Sequence, residues 1–194
     1  IRAGAAQDKA DKVGVAAFVG ALLDQGTTTR SAEVIANTIE SAGGAMGVGA
    51  ANEVTYVNGA VIKDRLGVAL DLAADVAIRP AFDPAEIRRQ LQQAIQGLQV
   101  SAEDPEFIAN SLIERLVFGF HPYGRPGPNS VEALQRITRD DLVAFHRTWF
   151  VPNNSLLAIV GDLTADEAFA AAEKAFGSWA KKDVPVVTFD EPPP

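Results

Sequence analysis

Gly14-Val15-Ala16-Ala17-Phe18-Val19-Gly20-Ala21-Leu22-Leu23-Asp24-Gln25-Gly26-Thr27 is the most informative stretch of this 194-residue chain. Across residues 12–23 the apolar side chains Val15, Phe18, Val19, Leu22 and Leu23 recur at three- and four-residue steps. That spacing follows the 3.6-residue turn of an α-helix and predicts one buried face. Gly26 supplies the C-terminal stop. The stretch is also short of chemistry: residues 12–23 contain no histidine and no carboxylate.

Outward from this helix, Ser31 offers a hydroxyl cap for a second helix carrying Val34, Ile35, Thr38 and Ile39 and ending at Gly43-Gly44. Residues 45–51 and 54–62 read as two strands with Asn52-Glu53 turning between them. Small residues in the first strand suit close approach of another backbone or a ligand. Asp64 is expected to cap a helix to Ile78, with Leu66, Leu70, Ala73, Ala74 and Ala77 on one side. A long helix over residues 84–100 has Ile87, Leu91, Ile95 and Leu98 as its seam. Another opens at Asp104-Pro105 and carries Ile108, Leu112, Leu116 and Val117. Residues 119–129, with three glycines and three prolines, read as loop. Thr138-Arg139-Asp140-Asp141 and Thr164-Ala165-Asp166-Glu167 resemble capping boxes opening two further helices, the first reaching about Phe150 and the second about Gly177. Ser155-Leu156-Leu157-Ala158-Ile159-Val160 is an apolar run of strand length. There is no internal repeat. The expected class is α+β, helices packed on a mainly antiparallel sheet.

Composition narrows the functional classes. With 17 Lys+Arg against 25 Asp+Glu the formal charge is −8, which disfavours nucleic acid and anionic membrane surfaces as partners. The chain has no cysteine, which removes disulfides, thiolate metal sites and cysteine nucleophiles. No apolar run reaches the ~18 residues of a membrane span, and no signal peptide opens the chain. Ile1-Arg2-Ala3-Gly4 reads like the end of a strand, so a longer polypeptide is expected, with any targeting segment upstream.

The Gly14–Thr27 stretch resembles the signature helix of the insulinase/pitrilysin/mitochondrial processing peptidase family of zinc peptidases. Further landmarks follow in the family's order: Gly43-Gly44, the Gly49-Ala50-Ala51-Asn52-Glu53-Val54-Thr55-Tyr56 strand pair, Arg79-Pro80-Ala81-Phe82 and Asp104-Pro105. His121-Pro122-Tyr123-Gly124-Arg125-Pro126, Trp149-Phe150-Val151-Pro152-Asn153-Asn154 and Val160-Gly161-Asp162 complete the set. The resemblance covers nearly the whole chain. It implies a metallopeptidase-like half of the mitochondrial processing peptidase type: one half-domain over residues 1–180, lacking its opening hairpin, and a proline-rich linker over residues 181–194 leading to a second half.

Family chemistry rests on an H-x-x-E-H zinc motif on the signature helix, two histidines sharing the metal and a glutamate activating its water. The matching positions here are Ala17, Gly20 and Ala21, and the family's distant third ligand falls near Gly97. Alanine and glycine side chains offer no lone pair. Residues 87–102 contain no Asp or Glu, so a shifted register restores nothing. A catalytic zinc takes about three protein ligands plus water. The expectation is therefore no catalytic residue, no metal and no cofactor in this chain, with zinc held only by a catalytic partner.

Other chemistry is sparse. His121, in the glycine- and proline-rich loop, and His146, on the helix after Thr138, read as packing or surface residues with no third ligand partner. Asp140, Asp141, Asp166 and Glu167 suit first helical turns, where carboxylates face free N–H groups. The glycines at 43, 44, 47 and 49 lack the lysine and the strand-then-helix context of a phosphate loop. In family members the strand pair lies beside the chamber, where substrate peptides add as an edge strand. That resemblance makes Gly49, Ala50, Ala51, Asn52, Glu53 and Tyr56 the peptide-binding candidates, an ordinary paired strand being the other reading of the same residues. The implied function is a noncatalytic subunit pairing with a zinc-bearing homologue to form a chamber that degrades or processes unfolded peptide. A scaffold subunit with no peptide-handling role is the alternative, and an active zinc metalloendopeptidase stands third. The alanine-rich composition and the likeness to paired bacterial members point to a periplasm or cell envelope, with the mitochondrion as the alternative.

Overall fold

The structure, a computed structural model, describes residues 1–125 and 131–188. Among these residues eight α-helices and a two-stranded sheet follow in the order α1 (Val15–Leu22), α2 (Ala32–Ser41), β1 (Ala45–Ala50), β2 (Thr55–Ala60), α3 (Leu66–Ile78), α4 (Pro84–Ser101), α5 (Pro105–Phe118), α6 (Val131–Gln135), α7 (Arg139–Trp149) and α8 (Ala165–Phe176). The expected α+β architecture is present, and its sheet is small and antiparallel.

The core forms around α1. Val15, Phe18, Val19, Leu22 and Leu23, the predicted stripe, are all buried. They meet Leu142 and Phe145 of α7, Leu72 and Val76 of α3, and Ile35 and Ile39 of α2. The α4 seam of Ile87, Leu91, Ile95 and Leu98 packs against this cluster half-buried. Ser31 Oγ accepts from Val34 N, α5 opens at Asp104-Pro105 and both threonine capping boxes close, as the sequence predicts, and the structure adds Asp83 as the cap of α4. Gly43 ends α2 at φ +67°, a conformation L-residues with a side chain rarely adopt.

Four expectations change. Residues 155–160 form no strand, and Leu156 and Val160 are exposed. Apolar content gives a segment strand propensity, but a strand exists only where a neighbouring edge accepts its ladder, and no described residue pairs with this one. Asp64 does not cap α3; it lies in a 3₁₀ turn over Lys63–Arg65, and α3 begins at Leu66. The seam of α5 forms a helix but is not buried, Ile108, Leu112, Leu116 and Val117 all being exposed. Finally α6 lies between the loop and Thr138, where the sequence predicts no element, and inserts the fully buried Leu134 into the core. Of the loop at 119–129, residues 126–130 lie outside the described residues, as do residues 189–194 of the tail.

A buried polar knot joins the turn after α1 to α3. Asp75, fully buried, accepts from the hydroxyls of Thr27 and Thr29 and from Arg30 and Arg79 at 2.8–3.0 Å. Burial pushes its pKa upward, but the bonds from Thr29, Thr27, Arg79 and Arg30 outweigh it, and the carboxyl is held below its ordinary range.

Candidate functional site

The signature helix and the strand pair meet in direct contact. On α1 the four-residue spacing puts Ala17 and Ala21 on one face, Ala17 exposed and Ala21 half-buried, whereas Gly20 is buried against the sheet. A Cβ built on Gly20 would lie 2.7 Å from the carbonyl carbon of Gly49 and 2.8 Å from the amide nitrogen of Ala50. Helix and strand backbones touch here because no side chain separates them. Gly97, on the exposed side of α4, has open space: a Cβ there meets no heavy atom within 4 Å. Methyl groups and hydrogens at 17, 20, 21 and 97 carry no electron pair, and Gly20 has no room for one. These residues do not fit a zinc ion.

The start of α1 is held by a residue the sequence reading missed. Gly14, at φ 107°, has no side chain for capping. Asp8 reaches across instead: Oδ2 accepts from Gly14 N at 2.7 Å and Oδ1 from Ala16 N at 2.9 Å. Burial raises the Asp8 pKa to about 6, against the pull of those N–H groups and of Arg125. Capping rules look at the residue next to the helix, and Asp8 lies six positions before Gly14, so only the fold reveals it.

The six peptide-binding candidates separate by what their groups already do. β1 and β2 pair from Ala45↔Ala60 to Ala50↔Thr55, placing Gly49 opposite Tyr56. The half-exposed Tyr56 ring lies over Gly49, where an added Cβ would meet its hydroxyl at 2.5 Å. The carbonyls of Ala51 and Asn52 accept from Ala5 N and Ala6 N at 3.0 and 2.7 Å. Glu53 accepts from the Tyr123 hydroxyl, a bond that raises the tyrosine pKa. Ala50 alone among the six presents free ladder groups.

Alternation identifies the others. Thr55 uses its outward N–H and C=O on Ile1, at 3.0 and 2.9 Å. Its partner Ala50, and with it Val48 and Met46 at two-residue steps, therefore point their backbone groups away from β2. Among the described residues no hydrogen bond takes up these groups on β1. Met46 and Val48 thus belong to the edge. The period-two rule could have found them, but only after the strand's register was known. Chemically the edge offers backbone donors and acceptors for an extended chain, and nothing at it moves a proton.

The histidines are structural. His146 Nε2 lies 2.9 Å from the Ala77 carbonyl, and the ring packs against Phe82 and Phe150. Burial lowers its pKa; the Ala77 bond opposes this and Lys182 reinforces it. His121 Nδ1 accepts from Tyr123 N, and its ring clusters with Phe118 and Tyr123.

Comparison with known proteins gives the family. The profile described as Insulinase (Peptidase family M16) matches residues 1–127, and the one described as Peptidase M16 inactive domain matches residues 136–194. A Mycobacterium leprae protein named an uncharacterised zinc protease is 32% identical over 90% of this chain. A protein of the same description in Bacillus subtilis, YmxG, is 25% identical over 87%. The chain spans 39% and 41% of those two relatives' length. A peptidase M16 inactive domain from Pseudomonas fluorescens superposes with TM-score 0.90 at 26% identity, covering 99% of this chain and 47% of that one. The first half of the periplasmic protease PqqL from Escherichia coli shares the fold at TM-score 0.85 and 19% identity, with coverage of 98% and 42%. The landmark order, the fold and these matches together place the chain in the insulinase (M16) peptidase family.

Proposed function

We propose that this chain is a noncatalytic M16 half that pairs with a zinc-bearing homologue and walls a chamber in which unfolded peptide is degraded or processed. The carrying observation is at Gly20: the position that matches the family's water-activating glutamate is occupied by direct backbone contact between α1 and β1. Two further facts support it. The residues at 17, 21 and 97 have no metal-binding atoms, and the β1 edge at Met46, Val48 and Ala50 has unpaired ladder groups beside α1. An extended peptide would add there by backbone hydrogen bonds, its register set by strand alternation and not by side-chain pockets. Zinc would reside in the partner alone. No helix among the described residues is long and apolar enough to cross a membrane. The likeness to periplasmic PqqL supports a periplasmic or cell-envelope site of action.

The test is peptide hydrolysis by the purified chain, by an intact H-x-x-E-H homologue from the same genome, and by their mixture, each with zinc and with chelator. The expected outcome is no chelator-sensitive cleavage by the chain alone and faster cleavage by the mixture than by the homologue. Zinc-dependent cleavage by the isolated chain overturns the reading. A homologue indifferent to the chain removes the peptide-handling role and leaves a scaffold.

A further inference from the structure

We infer that the groove between α4 and α5 is an interface for an acidic amphipathic helix carried by a partner polypeptide. The groove encloses about 930 Å³ and lies apart from the β1 edge. Its floor is apolar, with Leu98 from α4 and Ala102 just past its end, Ile108 and Leu112 from α5, and Phe120 beyond that helix. Along α5, Ile108, Leu112 and Leu116 recur every four residues, and Phe120 continues the row. Of this row Ile108, Leu112 and Phe120 line the groove, 46%, 58% and 83% exposed, while Leu116 faces solvent beside it. Such a stripe is what a helix normally buries, because removing apolar side chains from water is favourable.

The form of the occupant follows from the floor. An extended peptide would lay backbone N–H and C=O groups on a surface with few partners for them, each left unsatisfied at a cost. A helix satisfies its own backbone and presents only side chains, which suits an apolar floor walled by α5, the end of α4, α6 and residues 10–13. Its charge follows from the rim. Arg115, Arg125 and Arg136 border the groove against a single acidic lining residue, Asp11, in a chain of net charge −8. Among the described residues neither Arg115 nor Arg136 reaches a carboxylate within ion-pair distance, while Arg125 is turned toward Asp8. Arg115 is preorganised, its guanidinium 4.4 Å over the Phe120 ring and donating to the Gly119 carbonyl. Carboxylates flanking an apolar helical face complement this rim.

The inference does not depend on the zinc-less pairing described above, and its test is separate. Three fluorescein-labelled peptides of roughly 20 residues, long enough for helix formation, are titrated against the 194-residue chain by fluorescence anisotropy. One has leucines at i, i+3, i+4 and i+7 flanked by glutamates, one replaces the glutamates with lysines, and one inserts a central proline into the acidic sequence. The acidic helix is expected to bind saturably and at least tenfold more tightly than either control. Leu112→Asp should abolish binding, and Arg115→Glu with Arg136→Glu should reverse the preference for acidic over basic peptide. Ile113→Asp, on an exposed neighbour outside the groove lining, should leave binding intact, with far-UV circular dichroism confirming each fold. Equal binding of all three peptides, no binding, or binding unaffected by Leu112→Asp overturns the inference. So does concentration-dependent self-association lost on Leu112→Asp, which would make a second copy the occupant.

Discussion

Gly20→Ala isolates the contact on which the functional reading rests. The new methyl would start 2.7 Å from the Gly49 carbonyl carbon, 2.8 Å from Ala50 N and 3.1 Å from the Ala50 Cβ. Two of these are backbone atoms, so no side chain can swing aside. To reach an ordinary 3.4 Å from 2.7 Å, α1 and β1 must part by about 0.7 Å, loosening the most central helix of the core. Overpacking of this kind costs about 1–3 kcal/mol. Alanine's better helix propensity returns about 1 kcal/mol, leaving a net loss of up to about 2 kcal/mol. For a chain of this size that is a Tm lower by up to roughly 4–8 °C. Gly97→Ala is the matched control: it is also a helical glycine, but its added Cβ meets nothing within 4 Å. It should gain about 1 kcal/mol. Urea denaturation followed by circular dichroism compares the two midpoints. Opposite signs are expected. If Gly20→Ala stabilises the fold as Gly97→Ala does, the two backbones are not in the contact described, and the physical obstacle to a glutamate at position 20 disappears with it.

The same denaturation assay checks two buried carboxylates. Asp8 carries a pKa raised to about 6 in the folded chain. Between about pH 4 and 6 the folded state keeps a proton that the unfolded state has released, so stability falls as pH rises through that window by roughly 2–3 kcal/mol and is then level. Asp8→Asn, which cannot titrate, should remove this slope from the difference between variant and parent; an identical pH profile would refute the assignment. Asp75 titrates in the opposite sense, its contribution being lost only as pH falls below the ordinary carboxylate range. Asp75→Asn should cost about 2–4 kcal/mol at neutral pH by leaving Arg30 and Arg79 unpaired, less than a wholly buried pair because both arginines remain partly in water. A loss under about 1 kcal/mol would show that the hydroxyls of Thr27 and Thr29 hold the knot without the charge.

Local chemistry was legible in the chain itself. Periodicity located α1, α2, α4 and α5, because the apolar spacing of a helix does not depend on what it packs against. Ser31, Thr138 and Thr164 act as the caps expected, the two threonines marking α7 and α8, because a short polar side chain reaches N–H groups only two or three residues away. The inert side chains at 17, 20, 21 and 97 needed no structure to be recognised. What required tertiary structure was every relation between distant segments. Residues 155–160 have the composition of a strand and lack a partner, since pairing is a property of two segments and not of one. Asp8 caps a helix from six residues upstream, and the β1 edge acquires its free positions from a register set against β2 and from the bonds Thr55 makes with Ile1. Likewise the α5 stripe reads as buried in sequence and is exposed in the fold: an apolar period shows that a helix has a face to cover, while only the arrangement of neighbours shows whether this chain covers it.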